Sequence, residues 1–162
     1  MSGGTTAVEI EDSRTVRFGD ERREFDEAIE SLEETDGTVI VQTKYDLHWF
    51  ERDGTIVGQS DLDARIRSDW FEVADGKTLL VVRPAVEGTT ALYGFDETGT
   101  LLWERRESER WTFPPGHESE NFCVSTKLRR NTWATVKVDI DTGAFVRAVR
   151  GPEDAVRAFL DS

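Results

Sequence analysis

The sequence predicts a mainly β fold, an antiparallel meander of about three similar units with a helix near each end. Three observations support this. From Thr38 to Arg150 the apolar residues recur with a period close to two, and β-branched and aromatic residues dominate. Gly, Asp and Asn pairs interrupt this stretch at short intervals, as tight turns require. No long helical pattern separates the apolar runs, so parallel strands joined by crossover helices are not expected.

The elements follow in order. Val8 and Ile10, then Val16 and Phe18, alternate around Glu11-Asp12-Ser13 and predict a short strand pair. Phe25, Ala28, Ile29 and Leu32 fall at i, i+3, i+4 and i+7 and predict an amphipathic helix, with Asp20 as N-cap and Asp36-Gly37 as its end. Strands are expected over Val39–Thr43, Leu47–Arg52, Thr55–Gln59, Ile66–Val73, Thr78–Arg83, Ala91–Phe95, Leu101–Arg105, Arg110–Phe113, Phe122–Thr126, Trp133–Asp139 and Ala144–Val149. Asp53-Gly54 closes one hairpin, and Asp96-Glu97-Thr98-Gly99 and Asp141-Thr142-Gly143 have the same chemistry. Gly151-Pro152-Glu153-Asp154 starts a short C-terminal helix, whose apolar stripe is Val156, Phe159 and Leu160. A length of 162 residues fits one domain. It divides into a strand pair plus helix over 6–35, a β-repeat region over 36–150 and a C-terminal helix over 151–162.

The middle region repeats. Gly54, Gly99 and Gly143 are 45 and 44 residues apart, and Val41, Val82 and Val124 are 41 and 42 apart. Trp70-Phe71 and Trp111 with Phe113 recur at a spacing of 41. A period near 42 with four short strands per unit is that of a β-propeller blade. The phrase Leu92-Tyr-Gly-Phe-Asp-Glu-Thr-Gly-Thr-Leu-Leu-Trp103 resembles the repeat of quinoprotein-type (PQQ-like) propellers. In physical terms, glycine supplies a positive φ in the turn, the acid and threonine bond the turn backbone, and tryptophan covers the neighbouring sheet. Closed propellers need at least four blades, so three units form a partial propeller that other copies complete into a ring, or one open, twisted antiparallel sheet covered by the two helices. The resemblance does not carry catalysis, since the cofactor of that family sits in a complete ring.

Charge sets the context. Asp plus Glu number 33 against 20 Lys plus Arg, giving a net charge of -13. Sixteen of those bases are Arg and four are Lys, and the acids are dispersed along the chain. This resembles cytoplasmic proteins of salt-loving microbes, where molar salt shortens the Debye length to about 3 Å. So acidic a chain repels nucleic acid and anionic lipid except at a local basic exception. No run approaches the roughly 18 apolar residues of a membrane helix.

Catalytic and metal chemistry find little support. Cys123 sits in the apolar run Phe122–Val124 and reads as a small core residue rather than a nucleophile. His48 is expected on the solvent side of its strand and His117 in a loop, not at metal-ligand spacing. Asp139 with Asp141, and Asp61 with Asp63, lack the rest of a Ca²⁺ loop. Neither GxxxxGK[ST] nor GxSxG occurs. The local basic exceptions are Lys127-Leu-Arg129-Arg130-Asn-Thr-Trp133, and Arg105-Arg106 with Arg110-Trp111. The expectation is a non-enzymatic module without cofactor or metal, cytoplasmic, that binds a protein partner or another copy of itself. The alternative is anion or nucleic-acid binding through Arg105, Arg106, Trp111, Arg129, Arg130 and Trp133.

Overall fold

The structure is a computed structural model, and it describes residues 8–35, 37–44, 46–60, 71–82, 90–114 and 122–161. Among these residues the chain forms four antiparallel sheets and one helix. The first sheet is β1 (Val8–Asp12), β2 (Thr15–Phe18) and β3 (Glu21–Glu24). The second is β4 (Ile29–Glu34), β5 (Thr38–Thr43), β6 (Leu47–Glu51) and β7 (Ile56–Gln59). The third is β8 (Phe71–Ala74), β9 (Lys77–Val82), β10 (Thr90–Phe95) and β11 (Leu101–Glu107). The fourth is β12 (Cys123–Arg129), β13 (Thr132–Val138) and β14 (Phe145–Gly151), flanked by a bridge from Thr112 to Ser125. Every strand pairs antiparallel with its sequence neighbour, so each sheet is an up-and-down meander.

The sheets stack face to face, with an apolar layer between each consecutive pair. Val16 and Phe18 of the first sheet meet Val39, Val41 and Phe50 of the second. Ile40, Leu47 and Trp49 of the second meet Leu80, Val82 and Tyr93 of the third. Leu79, Val81 and Leu92 of the third meet Val124, Val136 and Val138 of the fourth. Adjacent residues of one strand thus serve opposite layers, as strand alternation requires. On the far face of the fourth sheet lies α1 (Glu153–Leu160), whose Val156 and Leu160 pack with Cys123 beside Trp133 and Phe159.

Two expectations change. The helix expected over 20–35 is absent: that segment forms β3 and β4 instead. Gly19, at φ 65°, turns the chain back after Phe18 and closes a hairpin where the cap was expected. The register of β4 against β5 shifts between Ile29 and Ser31. Such a bulge lets residues three apart share one face. Phe25, Ile29 and Leu32 therefore all reach the first interlayer core from extended chain, although their spacing mimics a helix. The unit count also changes. The second sheet begins with β4, in the segment expected to be helical. The N-terminal strands form a further sheet, so four sheets replace three units. Trp70, Asp61, Asp63 and His117 lie outside the described residues.

Candidate functional site

One contact recurs between each sheet and the one before it. Gly54, Gly99 and Gly143 have φ of 91°, 77° and 80° and occupy the last hairpin of sheets two, three and four. Each rests on an aromatic ring of the preceding sheet. A Cβ at Gly54 would lie 3.2 Å from the Phe18 ring. At Gly99 it would lie 2.5 Å from Trp49, and at Gly143 2.6 Å from Trp103. The acids shape these turns. Asp53 accepts from the Thr55 N–H at 2.9 Å, Asp96 from Thr98 and Thr100, and Asp139 from the Asp141 N–H at 2.9 Å. Hydrogen bonds from Thr55 hold the Asp53 carboxyl below its ordinary range. Trp103 donates its indole N–H to the Ile140 carbonyl at 2.6 Å, which fixes the ring under Gly143.

Several of the basic candidates are engaged with this framework or with neighbouring side chains. Arg105 donates to the Gly143 carbonyl at 3.0 Å and to Glu107 at 2.6 Å, and it covers the Phe145 ring at 3.7 Å. Arg23 bonds the Gly54 carbonyl in the same way at 2.9 Å. Trp111 is buried edge-on against Phe145, and its indole N–H has no acceptor among the described residues. Trp133 is half-buried beside α1, with the Lys127 ammonium 5.8 Å from its ring. Arg106 is exposed and paired with Glu104 at 3.3 Å. None of these arrangements presents a bare Arg–Trp stacking platform.

Arg129 and Arg130 behave differently. They form the exposed tip of the β12–β13 hairpin, turned by Asn131 at φ 62°. Lys127 pairs across to Trp133, and Trp133 to Gly151, so Arg150 ends at the same end of the fourth sheet. Arg110 precedes the Thr112–Ser125 bridge by two residues, on the side leading to Lys127. Arg110, Lys127, Arg129, Arg130 and Arg150 are all exposed, and none makes an ion pair among the described residues. The sequence marked Arg129 and Arg130; Arg150 was missed because only the β13–β14 register brings it there.

The remaining candidates are occupied or buried. Cys123 is 2% exposed, and burial pushes its thiol up to about 11. A thiol so protonated is a poor nucleophile. Asp139 shapes its own turn and Asp141 pairs with Lys77. His48, expected towards solvent, instead lies on the face of β6 turned to the first sheet, with Phe25 at 4.9 Å between ring centroids.

No family model and no curated protein matches the chain. Solved structures do. Hsv2 of Kluyvelomyces marxianus is 12% identical, with a TM-score of 0.53 over 92% of this chain and 47% of that one. The WD40 domain of Neurospora crassa Pan2 is 12% identical, with a TM-score of 0.46 over 77% of this chain and 39% of that one. The Dos1 propeller is 13% identical, with a TM-score of 0.45 over 85% and 38%. The chain thus spans less than half the length of each. The fold comparison rests on the first, and it agrees with the stacked meanders: the architecture is that of a partial β-propeller.

Proposed function

We propose that this chain is a non-enzymatic protein-interaction module that grips an acidic protein segment with the basic end of its fourth sheet. One observation carries the reading. In a chain of net charge -13, five exposed cations gather at one end of one sheet without carboxylate partners among the described residues. Elsewhere Arg17, Arg22, Arg23, Arg52, Arg106 and Arg157 each hold an acid. Like charges left together repel one another, and an incoming carboxylate cluster relieves that repulsion. Leu128, 42% exposed between them, offers apolar contact. A short acidic segment stays within this end, whereas an extended nucleic acid would run over the acidic surface beyond it. The repeat around Leu92–Trp103 supports kinship with quinoprotein-type propellers used as scaffold, with no cofactor. Dispersed acids with few lysines support a salt-adapted cytoplasm.

Fluorescence anisotropy of a labelled Asp/Glu-rich peptide and a labelled single-stranded oligonucleotide tests this. Salt-sensitive peptide binding is expected, reduced at least tenfold by Arg129→Glu with Arg130→Glu. Absence of peptide binding, or binding indifferent to the double variant, overturns the proposal. Preferential retention of the oligonucleotide replaces it with the nucleic-acid reading.

A further inference from the structure

A cleft of about 510 Å³ opens between the first and second sheets, away from the basic end. Its apolar wall is aromatic: Phe25 meets His48 at 4.9 Å, and the buried Phe50 backs Phe25 edge-on at 6.0 Å. Ile56, 58% exposed, completes that wall. Glu24, Asp26 and Glu27 supply carboxylates. The lining cation, Arg23, is committed to the Gly54 and Arg22 carbonyls and to Glu21. Burial lowers the imidazole of His48 to about 4, so at neutral pH it is an uncharged ring and does not repel a cation.

From this geometry we infer that the cleft binds a methylated ammonium group, seated against Phe25 and His48 and balanced by the surrounding carboxylates. The chemistry selects this group over its relatives. Aromatic faces attract cations, most strongly when the cation sheds water easily. A primary ammonium has three donors that an aromatic wall cannot satisfy, so its desolvation opposes entry. A methylated ammonium has few or none, and its methyl groups bury apolar area. A neutral isostere gains the area but not the attraction. Two sources fit: a free quaternary ammonium solute, or the methylated lysine of a peptide.

Titration with tetramethylammonium chloride, followed by NMR shifts of the Phe25 and His48 side chains, is the direct test. Potassium chloride at equal ionic strength and tert-butanol serve as controls, and a trimethyllysine peptide is the second arm. Saturable shifts with tetramethylammonium, absent with both controls, are expected. Phe25→Ala should weaken binding about tenfold and Phe25→Tyr should restore it. Asp26→Asn with Glu27→Gln should weaken it several-fold. Tighter binding of the peptide identifies a protein-borne source, and equal or weaker binding a free solute. Shifts equal to those of tert-butanol, or no saturation in folded protein, overturn the inference.

Discussion

Gly143→Ala separates backbone strain from interlayer contact at one position. The residue sits at φ 80°, where a side chain costs about 1–2 kcal/mol. A new Cβ would also lie 2.6 Å from Cδ2 of Trp103, whose ring is pinned by its bond to Ile140. Overpacking of that kind adds about 1–3 kcal/mol. The expected destabilisation is therefore about 2–5 kcal/mol. Gly76→Ala isolates the first contribution, because it shares a φ of 79° but meets only Glu97 Cβ at 3.3 Å. It should lose about 1–2 kcal/mol. Gly37, with nothing within 4 Å, should accept Ala within about 0.5 kcal/mol. Denaturant unfolding at fixed salt measures all three, with an unchanged slope required. Adding Trp103→Ala to Gly143→Ala should recover the clash as a coupling of about 1–3 kcal/mol. A Gly143→Ala loss no larger than that of Gly76→Ala would refute the stacking of Gly143 on Trp103.

Three further outcomes are expected. The folded-state pKa of His48, lowered from 6.5 to about 4, means that protonation favours the unfolded chain, so stability is complete above pH 6.5 and falls as pH drops towards 4. Discounted for its partial exposure, the loss is about 1–2 kcal/mol, and His48→Gln should remove it from a pH series of melting curves. The Cys123 thiol should ignore an aromatic disulfide reagent in folded protein and react after Val156→Asp loosens α1, with retained circular dichroism excluding global unfolding. Raising salt from millimolar to molar should raise the denaturation midpoint by screening a net charge of -13, and a flat response would remove the salt-adaptation reading.

The turns were the most legible part of the fold. A glycine that needs positive φ, an acid that bonds the next amides and an aromatic to cover them leave a local signature, so Gly54, Gly99 and Gly143 stand out in the sequence. The β3–β4 segment was illegible for a definite reason. A bulge at Ile29–Ser31 gives extended chain a helical spacing, and only the ladder to β5 reveals it. The basic hairpin was visible at Arg129 and Arg130, but the engagement of Arg105 with Gly143 was not, since 38 residues separate them. The cleft was hidden likewise: Phe25 and His48 meet through packing of separate sheets, and alternation alone placed His48 towards solvent.

Contacts from the three turn glycines to the rings beneath them test the stacked-sheet architecture most directly. Nuclear Overhauser spectra should join the Hα protons of Gly54 to Phe18, of Gly99 to Trp49 and of Gly143 to Trp103, with those protons displaced upfield by the ring currents. Hα shifts at random-coil values, without cross-peaks to these rings, would contradict the order in which the sheets are stacked.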